Sequence, residues 1–149
     1  MAVDPKTGQI AVVYANQLGA NSAIEYVHCP PAFSGSCSSP VPINDVSDGQ
    51  RVFPAIAIDN QGMVHVSWYD SRNDPTNPDS SNLDVYSTYA DSVDQPFHPN
   101  VRVTSSMIQF NNLGFIGDYT GITAVSGVAR PAWTDGELST TTLNVPNRN

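Results

Sequence analysis

A chain of 149 residues has the size of one domain, and with 40% apolar and 13% charged residues its composition is that of a globular protein, not a disordered one. Fourteen acidic residues against six Lys plus Arg give a formal net charge of -8. That field repels phosphate backbones and anionic membrane surfaces, which argues against nucleic acid as a partner, and it attracts divalent cations. No apolar run approaches the roughly 20 residues of a membrane span, and Met1 to Ile10 lacks the charged-then-apolar order of a signal peptide.

In chain order, short alternating runs recur between turn residues, and no segment sustains apolar spacing at the helical period. "IAVVYA" and "AIEYVHC" come first. Cys29 and Cys37 then bracket "PPAFSGS", a loop that bears Pro and Gly. Two cysteines closing so short a loop suggest a disulfide and an oxidising compartment, extracellular or periplasmic, with the export signal outside this sequence; two unrelated thiols in a cytosolic chain are the alternative. "VFPAIAID", "MVHVSWYD", "LDVYSTYA", "NVRVT", "GITAV", "VARPAWTD" and "STTTLNV" follow. The expected class is all-β.

Three runs share more than alternation. In "VDPKTGQIAVVYAN", "IDNQGMVHVSWYD" and "VSGVARPAWTD" a Gly precedes an aromatic residue by six positions: Gly8 and Tyr14, Gly62 and Trp68, Gly127 and Trp133. Asn16, Asp70 and Asp135 stand two positions beyond those aromatics. A Gly that accepts positive φ in a hairpin turn, then a strand ending on a large aromatic that packs between layers, accounts for the unit. With a third strand and a short fourth added, the unit is a four-stranded antiparallel propeller blade. Blades are expected near 1–44, 52–104 and 115–149, about two and a half to three in this chain. A β-sandwich also uses evenly spaced short strands, but it does not require every second strand to repeat one signature.

"FPAIAIDNQGMVHVSWYDSRND", "LDVYSTYADS", "NVRVT", "FIGDYTGI" and "PAWTD" together resemble the sialidase-like propellers built from BNR or Asp-box repeats. The likeness runs from about Val52 to Asp135. The family's box, Ser-x-Asp-x-Gly-x-Thr-Trp, is eroded here to "SVDQPF", which keeps Ser92 and Asp94 and has Phe97 near the aromatic's place. Such propellers usually have six blades, so the resemblance implies either a piece of a longer protein or copies assembling into a ring. Two chains forming a homodimer would complete six blades and cover edges that would otherwise stay open.

The resemblance also implies an active-site plan of three arginines on a substrate carboxylate, a Tyr activated by a Glu, and an Asp as acid/base. The chain has few glutamates for this. "RVFPAI" places Arg51 three residues before Pro54, not two as in the family's arginine motif, and a shift of one along a strand turns a side chain to the opposite face. Asp118 and Tyr119 in "FIGDYTG", together with Trp68 and Arg72 at a strand exit, are the expected binding residues. Asp118, Tyr119 and Arg72 are also the catalytic candidates. The simpler role for Arg72 is a salt bridge to Asp70 or Asp74. His28, His65 and His98 fall on separate segments without metal-ligand spacing.

"WYDSRNDPTNPDSSNLDVY" sets Asp70, Asp74, Asp79 and Asp84 around Arg72. Calcium takes about six to eight oxygen ligands, and this segment holds enough carboxylates and amides to supply several, although its spacing is not that of an EF-hand. Asp, Asn, Ser and Pro are equally the ordinary formers of a solvated turn. Calcium is therefore the one cofactor expected, with the solvated turn as its alternative. The expected function is a propeller module that binds glycans or serves a structural role. The alternatives are a glycoside hydrolase of exo-sialidase type, active only in a completed ring, and a protein-interaction propeller.

Overall fold

The computed structural model describes residues 1–74, 82–109 and 119–135. Its strands are β1 (Ala2–Val3), β2 (Ile10–Leu18), β3 (Asn21–Cys29), β4 (Val41–Pro42), β5 (Arg51–Ile58), β6 (Val64–Asp70), β7 (Asn82–Ala90), β8 (Val101–Arg102), β9 (Ile108–Gln109), β10 (Gly121–Val125) and β11 (Val128–Ala132). They form three antiparallel sheets. The first has the order β1-β2-β3-β4 and the second β5-β6-β7-β8, with β9 also on β7; β10 and β11 form a hairpin. No α-helix occurs among the described residues, and one turn of 3-10 helix covers Pro31–Phe33. The class is all-β, as the alternation predicts. The expected strand "STTTLNV" lies outside the described residues.

The long strands follow the sequence pattern closely. Three two-residue strands, β1, β4 and β9, are absent from the sequence reading because two residues carry no periodicity.

Each Gly of the repeat sits in the hairpin turn before an aromatic-bearing strand with φ positive, at 75° for Gly8, 89° for Gly62 and 78° for Gly127. A side chain there would be strained, which is why glycine occupies the place. Asp59 closes the middle turn, its Oδ1 accepting from the Gln61 and Met63 amides at 2.8 and 3.0 Å. Its Oδ2 accepts from the Gly127 amide at 2.6 Å, and Asn60 Oδ1 accepts from the Ser126 amide at 2.7 Å. On the other side Lys6 Nζ donates to the Gln61 carbonyl at 2.7 Å. The three turns are thus linked to one another at one end of the sheets.

Two cores lie between the sheets. Ala11, Ile24 and Tyr26 of the first sheet meet Val64, Val66 and Trp68 of the second. Tyr69, Leu83 and Val85, on the other face of the second sheet, meet Ile108 and Trp133. Both faces of β6 are therefore covered, and all seven of its residues are buried. Trp68, 1% exposed, faces the first sheet, and Trp133 faces the second. Tyr14 holds the same repeat position in the first sheet and is 37% exposed, its hydroxyl donating to Glu25 Oε2 at 2.6 Å.

In β5 the register against β6 shifts between Val52 and Ala55, and Phe53 takes a φ of 51°. This bulge inserts one residue and so resets the inside-outside alternation. Arg51 and Ile56, an odd number of residues apart, consequently share the side that faces the first sheet: Arg51 bonds to Ser22 there, and Ile56 packs on the first core. A parity argument for Arg51 from its spacing to Pro54 alone misses this irregularity.

Candidate functional site

At the exit of β6 the Asp70 carboxylate is fully buried and surrounded by donors. Its Oδ2 lies 2.9 Å from Trp68 Nε1, 2.7 Å from Arg72 Nη2 and 3.2 Å from Arg51 Nε, while Oδ1 accepts from the Arg72 amide at 2.9 Å. Arg51, which is also fully buried, donates through Nη1 to the carbonyls of Ser22 and Gly49 at 2.8 and 3.0 Å and through Nη2 to that of Asp48 at 2.7 Å. Burial pulls the Arg51 guanidinium below its ordinary pKa against the stabilising charge of Asp70. For Arg72 burial acts in the same sense, but hydrogen bonds to Asp70 and Asp45 outweigh it and hold its pKa above the ordinary value. Arg72 also donates to Asn100 Oδ1 at 3.0 Å and stacks 4.0 Å above the Tyr86 ring. Its salt bridge to Asp70 is the simple role expected of it. Its partners Asp45 and Asn100 are not legible in the sequence, since they come from two loops far from Arg72 in the chain.

Asp74 and Asp84, the other described carboxylates of the acidic stretch, are also engaged. Asp84 is buried, accepting from Arg102 Nη2 at 2.7 Å, Thr104 Oγ1 at 2.6 Å and Asn73 Nδ2 at 2.6 Å. Asp74 accepts from Asn82 Nδ2 at 2.6 Å. No group of three or more His, Cys, Asp or Glu side chains is placed to hold a metal among the described residues. Of the four expected calcium ligands, Asp70, Asp74 and Asp84 have the partners just described, and Asp79 lies outside the described residues.

Of the expected binding residues, Trp68 and Arg72 join Asp70 in one network, enclosed between the first and second sheets. Tyr119 stands 85% exposed just before β10. Asp118 lies outside the described residues. The histidines remain on separate elements. His65 Nε2 lies 3.6 Å from Asp59 Oδ2, whereas the His98 ring stacks on Tyr89 at 4.1 Å.

Two concavities open between the sheets. A cleft of about 450 Å³ separates the second sheet from the β10–β11 hairpin, with His65, Tyr89 and Val128 on its walls. A groove of about 770 Å³ lies between β3–β4 and the segment 93–100. Tyr26, Ile43 and Phe97 make it apolar, while His28, Asp94 and His98 add polar groups. Cys29 and Cys37 form a disulfide beside it, and the loop they close is stitched to β3 by the Ser38 amide donating to the His28 carbonyl at 2.8 Å.

Fold and site together define an all-β protein of consecutive antiparallel sheets with buried arginine-carboxylate clamps between them. The chain matches no family model, no curated protein and no solved structure.

Proposed function

We propose that the chain is a sialidase-like β-propeller module that binds glycans on the rim where β6 ends and β10 begins. The observation that carries the reading is the repeated unit: two successive sheets with the same meander order, and a third begun by β10 and β11, each with its positive-φ Gly and its aromatic at one spacing. The Asp-box remnant from Ser92 to Phe97 falls between the third and fourth strands of the second sheet, the place the box takes in that family. Tyr14, exposed where Trp68 and Trp133 are covered by a preceding sheet, fits further blades supplied by a longer chain or by a second copy. The disulfide accords with an extracellular or periplasmic setting.

Binding is favoured over hydrolysis because the arginines near the rim are already committed. Arg51 is bound by carbonyls and ion-paired to Asp70, Arg72 is paired with Asp70 and Asp45, and Arg102 with Asp84. A sialidase needs guanidinium forks free for the substrate carboxylate. Tyr119 offers an exposed ring of the kind on which a sugar face stacks. Glycan-array binding that falls about tenfold or more in Tyr119→Ala, without turnover of a fluorogenic sialoside or aryl glycosides, is the expected result. Turnover by the wild-type chain, or array binding indifferent to Tyr119→Ala, would overturn it.

A further inference from the structure

We propose that the groove between β3–β4 and the segment 93–100 docks a peptide that sets a Lys or Arg beside a bulky apolar side chain. The inference does not depend on the glycan reading, and Tyr119 is not among the residues that line the groove.

Its charge is one-sided. Asp94 lines it and Asp91 stands next to His98; Asp45 also lines it but is ion-paired to Arg72, and neither Lys nor Arg contributes to its described walls. The Ser92 hydroxyl donates to Asp94 and holds its carboxyl below the usual range, so this edge is anionic at neutral pH. A cationic ligand is complementary to such a lining, and an anionic one is repelled.

Its floor is apolar and enclosed. Ile43 is buried, Tyr26 and Phe97 meet edge to face at 4.9 Å, and Val41 adds a rim side chain that is 48% exposed. A volume of about 770 Å³ lies within the range that bound small ligands and anchoring side chains fill.

The same geometry disfavours a sugar here. The Tyr26 ring is enclosed, with its hydroxyl donating to the Val93 carbonyl at 2.8 Å. Both lining asparagine amides are engaged within the protein: Asn44 Oδ1 accepts from the Ile24 amide at 2.9 Å, and Asn100 Nδ2 donates to the Ile43 carbonyl at 3.0 Å. The Asn100–Ile43 bond, with that from the Asp45 amide to Asn100 Oδ1 at 2.9 Å, fastens the two walls together. A groove built in advance avoids much of the ordering cost of binding.

The test is a nuclear magnetic resonance titration that follows the His28 and His98 imidazole signals. Capped hexapeptides carrying Lys or Arg next to Leu or Phe are added, with counterparts that carry Glu in place of the cation. The basic peptides are expected to shift both imidazoles, and the Glu peptides to leave them unmoved. Asp94→Lys, which reverses the charge, and Val41→Ser, which removes the apolar rim, both at exposed positions and checked for an unchanged melting temperature, are each expected to weaken binding about tenfold. The proposal is overturned by unmoved imidazoles at millimolar basic peptide, by an equal response to Glu peptides, by indifference to both substitutions, or by a response to sialosides in place of peptides.

Discussion

Arg51 and Asp59 show how much a single buried charge can determine here. Arg51 connects the Ser22 and Asp48 carbonyls to Asp70 with no exposure to water. Removing one partner of such a set leaves the rest buried and uncompensated, so Arg51→Met is expected to destabilise the fold by about 3–5 kcal/mol, as read by urea unfolding. A loss below about 1 kcal/mol would show that the clamp contributes little. Asp59 is held differently. Burial raises its pKa, but the amides of Gly127, Met63 and Gln61 outweigh burial and leave the carboxyl below its ordinary range. A lowered folded pKa means that its stabilisation is present above the unfolded value near 4 and is lost as pH falls through the lower folded value. Melting temperatures of Asp59→Asn are therefore expected to depend less on pH below about pH 4 than those of the wild type. The sequence marks Asp59 only as a turn residue. That it also binds the next turn is visible only once Gly127 is placed beside it.

At the scale of the element, equivalent positions in the repeat carry unequal loads. Trp68 lies between two sheets and Tyr14 on an exposed face, although both stand six residues after a hairpin Gly. Trp68→Ala is expected to cost about 3–5 kcal/mol, whereas Tyr14→Ala, which loses an exposed hydrogen bond to Glu25, should cost under about 1 kcal/mol. Similar losses in the two variants would mean that Tyr14 is covered in solution, as a ring completed by a second copy requires. The loop closed by Cys29 and Cys37 allows a separate test. Opening it in Cys29→Ser/Cys37→Ser is expected to lower stability by about 2–3 kcal/mol, read as a fall in melting temperature that reducing agent reproduces in the wild type. The long strands were legible from alternation because one face or both are buried. The bulge at Phe53 was not, since a residue that adopts positive φ without being Gly leaves no periodic mark.

Across the whole molecule, the acidic balance, the all-β class and the repeat follow from the sequence, because composition and period two are local properties of the chain. The carboxylates of "WYDSRNDPTNPDSSNLDVY" were legible as a cluster, and their roles were not. Asp70 and Asp84 read as metal ligands or turn acids until the fold brings Arg51, Arg102 and Thr104 against them, from positions up to 20 residues away. With Arg51, Arg72 and Arg102 so engaged, the chain is expected to leave fluorogenic sialosides unhydrolysed, and measurable turnover would show that this engagement does not prevent hydrolysis. Local pattern alone determined where the long strands run, where glycine must turn the chain and that its field is anionic. Only the tertiary structure decided which charges neutralise one another and which concavity stays open, because both depend on contacts between residues distant in the chain.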